Sequence, residues 1–272
     1  MNNTKIEYCD KTFNPVTGCL RGCSYCYARE IAHRFGGWDR TPGSARMNIA
    51  EDKTYIHPMK SYYGEAKETE HGIIADINGP FILNGKKAPF PFGFTPTFHR
   101  YRLGEPAKVK KPQTIFVGSM TDLFADDIPD KWIMAVFEAC AAAPQHRYLF
   151  LTKRPHRYLS LHLKGRLLNE LNIWYGTTIT ESGILPFNAL DYSNIYISVE
   201  PLLGEMSDRF PFTNVGWVIV GSMTGPRASK HKPKREWIEN IAEQCRAANV
   251  PLFMKNSLRG LMGDAFTQET PW

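Results

Sequence analysis

The chain has 272 residues, of which 43% are hydrophobic and 22% charged, and its formal net charge is +6. This composition is typical of a soluble globular protein, and the length suits one large α/β domain or two small ones. No apolar run approaches the roughly 20 residues of a membrane helix, and the N-terminus has no apolar signal core. We therefore expect a cytoplasmic protein without a membrane partner, whose positive charge is compatible with a polyanionic ligand.

The first notable segment in chain order contains three cysteines in the spacing C-x3-C-x2-C, at Cys19, Cys23 and Cys26. Three thiolates can hold three irons of a 4Fe–4S cluster, which leaves the fourth iron open to a ligand. S-adenosylmethionine can chelate such an iron through its amino and carboxylate groups, and one electron can then break its S–C bond. The spacing therefore predicts an open cluster of this kind.

Two other metal sites are compatible with these cysteines. A structural zinc ion needs four ligands, and His33 on the predicted following helix could supply the fourth. A ferredoxin-like cluster needs a fourth cysteine close by, and Cys9 could serve only if the chain folds back. The sequence contains no second C-x2-C pair, which favours the open cluster.

Residues 36–112 come next and are rich in Gly, Pro, aromatic and basic residues. A loop of this length is unusual inside a compact domain unless it is functional. We interpret the segment as an insertion or lid that covers the site.

Short apolar runs predict strands at residues 114–120, 147–153, 172–180, 194–201, 217–223 and 251–256. The runs are nearly continuous, as in a parallel sheet whose strands are buried on both faces. Helical patterns lie between them at residues 130–143, 155–171 and 234–248. The alternation predicts a single α/β domain over residues 1–272, in the form of a partial (β/α)6 TIM-like barrel.

Polar residues follow the predicted strands, and in such folds these ends converge on the ligand. The candidate ligand-binding residues are Gly118, Ser119, Met120, Thr178, Ser198, Gly221 and Ser222. The strongest candidates for a catalytic role are Asp122, Lys153 and Glu200, because a carboxylate can bind ribose hydroxyls or an amine and a lysine can bind a carboxylate or act as an acid. Each could equally form a salt bridge at the barrel rim.

Two basic clusters could contact nucleic acid. The first contains Arg100, Arg102, Lys110 and Lys111 with interleaved aromatic residues, and the second, within a loop at residues 224–235, contains Lys230, Lys232 and Lys234. Basic groups contact phosphates, and aromatic rings stack on bases. The alternative is that both are solvated loops without a ligand.

The cysteine spacing, with Tyr25 just before the last cysteine, resembles that of the radical SAM superfamily. The resemblance implies a partial barrel with the cluster loop after the first strand, Tyr25 near the adenine, and residues 118–122 at the amine of S-adenosylmethionine. It also implies a one-electron reductant such as a flavodoxin- or ferredoxin-like protein. The Gly-Gly-Glu common at that amine site is absent here.

A longer resemblance covers almost the whole chain. The stretches FNPVTGC, CSYCYAR, IFVGSMTDLF, SVEPLLG and WVIVGSMTGP resemble a phage-associated three-Cys-motif family of unknown function. The C-x-Y-C-Y pattern is also similar, locally, to spore photoproduct lyase, a radical SAM enzyme that repairs DNA. These resemblances imply a nucleic-acid or nucleotide-like substrate and a partner protein encoded nearby.

Three functions follow from these observations. The first is a radical SAM enzyme that acts on DNA, RNA or a nucleotide. The second is a module that binds the cluster and S-adenosylmethionine as a sensor without catalysis. The third is a zinc-stabilised nucleic-acid-binding protein.

Overall fold

The computed structural model describes residues 1–36, 48–49, 54–56, 65–69, 72–83, 86–180, 194–206, 214–225 and 228–272. The chain divides into two compact units, of which unit 1 contains residues 1–3 and 11–146 and unit 2 contains residues 4–10 and 147–272. Both units mix helices and strands, which confirms the α/β class. Among the helices described, none is long and apolar enough to cross a membrane.

The described elements of unit 1 are β1 (Asn2–Asn3), β2 (Lys11–Phe13), β3 (Val16–Thr17), α1 (Tyr27–Gly36), β4 (Asn48–Ile49), β5 (Thr54–Ile56), β6 (Glu65–Thr69), β7 (Gly72–Ile77), β8 (Ile82–Leu83), β9 (Lys86–Lys87), β10 (Thr97–His99), β11 (Thr114–Val117) and α2 (Asp130–Ala141). Short 3-10 helices lie at Arg100–Arg102 and Pro106–Lys108. Strand β2 pairs antiparallel with β1 and parallel with β11. The predicted strand at 114–120 and helix at 130–143 are both confirmed.

A second sheet of unit 1 has the order β3-β10-β7-β6-β5-β4. Most of it comes from residues 36–112, so the described parts of the predicted insertion contain strands as well as loops. Strands β3 and β10 pair antiparallel, and the three clustered cysteines follow β3. Ala75, Ile77 and Phe92 form a small buried cluster beneath this sheet.

The described elements of unit 2 are β12 (Arg147–Thr152), α3 (His156–Leu163), β13 (Ile173–Thr178), β14 (Ile195–Val199), β15 (Val215–Val220), α4 (Arg235–Ala247), β16 (Leu252–Met254) and α5 (Arg259–Met262). Short 3-10 helices lie at Ala228–Lys230, Asn256–Leu258 and Gly263–Ala265. Strands β12 to β16 lie side by side in chain order, and each neighbouring pair is parallel. The strands and helices predicted in this half of the chain are thus confirmed in type and order.

Helix α3 is shorter than predicted, because it ends at Leu163 instead of continuing to residue 171. Gly165 has φ +63°, and its amide and that of Arg166 donate to the carbonyls of His162 and Leu161 at 2.8 Å each. A glycine in the left-handed region that returns bonds to the last turn is a common helix terminator. The apolar residues after Gly165 therefore do not extend the helix.

The register of the unit 2 strands places side chains of alternate residues on two faces. On one face, the ring of Tyr158 from α3 packs at 4.9 Å against Tyr175, and its hydroxyl donates to the Gly176 carbonyl at 3.0 Å. On the opposite face, nearer the amino ends of the strands, the Trp217 ring contacts Tyr8 and Tyr196 at centroid distances of 5.8 Å each. Towards the carboxyl ends of the strands, this second face becomes polar.

Candidate functional site

The cysteine loop, which we define as residues 18–29, follows β3 in unit 1 and includes the first residues of α1. Its first residue, Gly18, has φ +84°, and a Cβ atom there would lie 2.3 Å from the Thr95 carbonyl oxygen. The Gly18 amide donates to the Met120 carbonyl at 2.8 Å, and the Cys19 amide donates to the Phe94 carbonyl at 3.0 Å. Only glycine fits such a close approach at positive φ, so this residue fixes the path of the chain into the first cysteine.

Two of the three sulfurs accept hydrogen bonds from backbone amides of the loop itself. The Arg21 amide donates to Cys19 Sγ at 3.3 Å, and the Arg29 amide donates to Cys26 Sγ at 3.4 Å. The Cys26 amide donates to the Cys23 carbonyl at 3.3 Å, and α1 begins at the next residue. Amide hydrogen bonds to sulfur stabilise negative charge there, and they tune the potential of iron–sulfur clusters.

The Arg29 side chain braces the loop from inside. Its Nη2 atom donates to the Arg21 carbonyl at 2.8 Å and to the Cys19 carbonyl at 3.5 Å. Its guanidinium also lies 5.3 Å from the centre of the Phe94 ring. One cation therefore ties the two ends of the loop together beside the thiols.

The cysteines differ in burial, since Cys19 is buried and Cys23 and Cys26 are partly exposed. Burial raises the pKa of Cys19 to about 12, against the lowering effect of the Arg21 amide. Burial likewise raises the pKa of Tyr25, which lies beside Cys23 and Cys26. A metal that binds Cys19 must therefore displace a proton.

The turn after β11 supports the cysteine loop. Asn14 Oδ1 accepts hydrogen bonds from Ser119 Oγ and from the Met120 amide, at 3.1 Å each. Tyr27 Oη donates to the Ser119 carbonyl at 2.7 Å, and Thr121 Oγ1 donates to the Gly18 carbonyl at 2.6 Å. The structure thus brings the predicted residues 118–120 to the cysteine loop.

Two predicted residues of this turn have local roles as well. Gly118 has φ +80°, and its amide donates to the Phe13 carbonyl at 2.9 Å, which turns the chain at the end of β11. Asp122 Oδ1 accepts the Phe124 amide at 3.3 Å and thereby closes the turn. The Asp122 charge contributes to the raised pKa of Cys19, which indicates that it lies near that thiol.

The donor set of the loop fits an iron–sulfur cluster by its chemistry. Three thiols lie on one braced loop, two of them with amide donors at sulfur. In the part of the chain that the structure describes, no three His, Cys, Asp or Glu side chains, those of the loop included, are grouped so that they could hold a metal ion. His33, the alternative zinc ligand, is exposed on α1.

Unit 2 carries a second set of polar groups, on the face of its sheet that begins with aromatic rings. The strand register places most of them at the carboxyl ends of β12, β13, β14 and β16, whereas Tyr196 lies on the same face nearer the amino end of β14. We call this set the polar row, and its members are Lys153, Thr178, Tyr196, Ser198, Glu200 and Lys255. The predicted strand-end residues Lys153, Thr178, Ser198 and Glu200 thus lie on one face of the sheet, and a ligand-binding role for them stays a prediction.

Both lysines of the polar row contact another member of the row. Lys255 Nζ lies 3.3 Å from Glu200 Oε2, and the two side chains are 22% and 19% exposed. Lys153 Nζ donates to Thr178 Oγ1 at 3.4 Å. Burial raises the pKa of Glu200, while the neighbouring charge of Lys255 lowers it. Burial has the larger effect, so the net pKa of Glu200 is raised.

Two glycines provide space for the polar row. A Cβ atom on Gly221 would lie 2.9 Å from Lys255 Cδ and 3.2 Å from Glu200 Cγ. A Cβ atom on Gly176 would lie 2.2 Å from Cζ of Tyr196. The predicted site residue Gly221 thus leaves room for the side chains of Lys255 and Glu200. Ser222, the other predicted residue here, lies beyond the end of β15, and its amide is 3.3 Å from Ser257 Oγ.

A family model described as "Protein of unknown function (DUF5131)" matches residues 3–76 and 81–262. The chain belongs to this family. The match includes both the cysteine loop and the polar row. No curated protein and no solved structure matches the chain.

The predicted nucleic-acid contacts fall into two groups. Arg100 forms a two-pronged ion pair with Asp76 at 2.7 Å, and Arg102 Nη1 donates to the Asn14 carbonyl at 2.9 Å, so both guanidinium groups support unit 1. The lysines are exposed, namely Lys110, Lys111, Lys230, Lys232 and Lys234. Lys234 also contacts Glu236 at 3.4 Å and lies 5.5 Å from the Trp237 ring centre.

Sequence reasoning missed two residues that organise these sites. Asn14 precedes the first cysteine by five positions in FNPVTGC, and Tyr196 lies inside a predicted strand among apolar neighbours. Lys255, by contrast, ends the last predicted strand as Lys153 ends an earlier one, and it was expected among the polar strand ends. Asn14 and Tyr196 gave no comparable signal, because their partners are distant in sequence.

Proposed function

We propose that this protein is a radical SAM enzyme that acts on a nucleic acid or a nucleotide-like substrate in the cytoplasm. Cys19, Cys23 and Cys26 would hold a 4Fe–4S cluster, and S-adenosylmethionine would be the second cofactor. One observation carries the proposal: three thiols share a braced loop, and backbone amides already donate to the sulfurs of Cys19 and Cys26. The C-x3-C-x2-C spacing leaves one iron without a protein ligand.

A bound cluster would supply one electron, received from a flavodoxin- or ferredoxin-like reductant, that breaks the S–C bond of S-adenosylmethionine to give methionine and a 5′-deoxyadenosyl radical. The protein's own residues prepare the site for it. Gly18 fixes the chain path, Arg29 braces the loop, and burial of Cys19 excludes water from one side. Partial exposure of Cys23 and Cys26 leaves the other side open to ligands.

The proposal includes the finer fold, in which the parallel strands belong to a partial (β/α)6 TIM-like barrel. It is supported by the parallel pairing of β2 with β11 in unit 1, and by the sequential parallel order of β12 to β16 in unit 2. A cofactor loop that follows an early strand is common to such folds. The strand end of β11 in unit 1, with Asp122, would then supply polar groups for ligands, and so, within unit 2, would the strand ends of β12 and β14, with Lys153 and Glu200.

The substrate class is supported by charge. Exposed lysines on residues 108–111 and 230–234 give the surface positive charge that attracts phosphates. The polar row adds hydrogen-bonding groups that suit a small polar ligand. Each feature is compatible with a nucleotide as well as with a polymer.

The decisive experiment is anaerobic purification, followed by iron and sulfide assays and incubation with dithionite and S-adenosylmethionine. We expect about four iron atoms per chain and formation of 5′-deoxyadenosine. Replacement Cys23→Ser should abolish both the iron content and the formation of 5′-deoxyadenosine. The control Cys140→Ala, at a buried position of α2, should keep both.

Other outcomes point to the other functions. Four iron atoms with tight S-adenosylmethionine binding but no cleavage, with or without nucleotides, would indicate a sensor module. Zinc in place of iron and sulfide would indicate a zinc-stabilised nucleic-acid-binding protein. Either result would overturn the proposed radical chemistry.

A further inference from the structure

Three buried polar atoms on β14 and on the residue after it lack hydrogen-bond partners. Within the described part of the chain, Tyr196 Oη, Ser198 Oγ and Glu200 Oε1 have no hydrogen-bond partner. Tyr196 and Ser198 are 0% exposed. Buried polar groups are nearly always paired, because an unpaired one loses its hydration without compensation. Such a series of atoms indicates a ligand that supplies the partners.

These three residues alternate along the chain, so their side chains lie on one face of the sheet. Ser198 is paired in register with Thr178 of β13, and both lie near the carboxyl ends of their strands. In open α/β sheets, ligands bind outside the carboxyl ends of the strands. Ser198 and Glu200 are therefore placed where a ligand of unit 2 would bind, whereas Tyr196 lies nearer the amino end of β14.

The surrounding charges restrict the chemistry of that ligand. One oxygen of Glu200 faces Lys255 at 3.3 Å, and the charge of Lys153 also acts on this carboxyl group. A cationic group on the ligand would be repelled by the two ammonium groups, and an anionic group would meet the Glu200 carboxylate. Neutral hydroxyl groups avoid both penalties, because each can donate to the carboxylate and also accept from a serine or tyrosine hydroxyl.

We infer that the polar row binds the vicinal diol of a ribonucleoside substrate, with Glu200 Oε1 and Ser198 Oγ as the direct partners. A carboxylate at a strand end binds ribose hydroxyls in this way in dinucleotide-binding folds. The 2′-hydroxyl is also what distinguishes RNA chemistry from DNA chemistry at a protein site. The inference rests on the proposed function for the nucleotide-like class of substrate. It narrows that class to nucleosides and nucleotides that contain ribose.

The first test is calorimetric titration of the full chain with AMP, GMP, CMP and UMP, and with their 2′-deoxy counterparts. At least one ribonucleotide should bind, and its 2′-deoxy counterpart should bind about 10- to 100-fold more weakly, as expected for one hydrogen bond to a charged group. Equal affinities, or no binding at millimolar concentration, would overturn the inference. If S-adenosylmethionine binds and none of the nucleotides does, the polar row binds the diol of the cofactor. That result would also overturn the inference.

The second test uses Ser198→Ala, which removes a buried hydroxyl that has no protein partner. This change should weaken ribonucleotide binding about tenfold, while the melting temperature of the ligand-free protein stays the same or rises. A matched control is Thr177→Val, whose hydroxyl lies on the opposite face and donates to the Thr152 carbonyl at 3.2 Å. A lower melting temperature for Ser198→Ala, with binding unchanged, would show that the hydroxyl is satisfied by bound water.

Neither titration requires iron, so the two proposals fail separately. Ribose discrimination without 5′-deoxyadenosine formation would refute only the radical chemistry. Formation of 5′-deoxyadenosine without ribose discrimination would refute only the assignment of the polar row.

Discussion

The cysteine loop of unit 1 and the polar row of unit 2 differ in how their buried polar atoms are paired, although Arg29 Nε in the loop also has no partner among the described residues. In the loop, the amides of Gly18 and Cys19 and two sulfurs are held by hydrogen bonds at 2.8–3.4 Å. In the row, three buried atoms have no partner among the described residues.

The hydrogen bonds that brace the loop stabilise its fold, and under the proposed function its thiols would bind a metal. Unpaired buried atoms in the polar row lower the stability of the free protein. Under the inference above, a ligand would supply their partners. We therefore expect substitutions in the loop to cost stability, and hydroxyl deletions in the row to cost binding.

The largest expected effect concerns the contrast between loop and core cysteines. Burial raises the pKa of Cys245 in α4 from 9.0 to about 12, whereas Cys23 is partly exposed. At pH 8 this shift lowers the thiolate fraction of Cys245 roughly a thousandfold below that of a thiol with the ordinary pKa. The thiolate is the form that reacts. In the metal-free protein, peptide mass spectrometry should show iodoacetamide labelling at Cys23 far ahead of labelling at Cys245. Unfolding in guanidinium should remove the difference, and equal rates in the folded protein would contradict the burial.

The next effect tests whether the loop is braced. Gly18→Ala should lower the free energy of unfolding by roughly 2–4 kcal/mol, because φ is +84° and the new methyl group meets the Thr95 carbonyl. The control is Gly22→Ala in the same loop, where nothing lies within 4 Å of the added Cβ and the cost should stay within about 0.5 kcal/mol. Urea unfolding curves measure both, and equal costs would show that the loop adapts freely.

The smallest effect tests the packing beneath the polar row. Gly176→Ala should cost roughly 1–3 kcal/mol, because the added methyl group overlaps the Tyr196 ring. In a Tyr196→Ala background the same change should cost almost nothing, so a double-mutant cycle isolates the contact. A cost that persists without the ring would place the effect in the backbone of β13 instead.

Much of unit 2 could be predicted from its sequence, because buried parallel strands appear as continuous apolar runs with polar ends. Lys153, Thr178, Ser198 and Glu200 were predicted as strand ends, and the register places them on one face. Unit 1 was harder to predict, since much of its second sheet lies in a segment without clear periodicity. The end of α3 was missed because Gly165 terminates the helix while apolar residues continue beyond it.

The sequence by itself determined the cysteine spacing, the α/β class and the order of the strands in unit 2. These are local properties, because thiol spacing and apolar runs are set by neighbours along the chain. Only the tertiary structure decided which polar groups are satisfied. Asn14 supports a turn more than 100 residues away, and Lys255 pairs with Glu200 across 55 residues. Hydrogen-bond partners of this kind depend on distance in space, and no local pattern in the sequence encodes them.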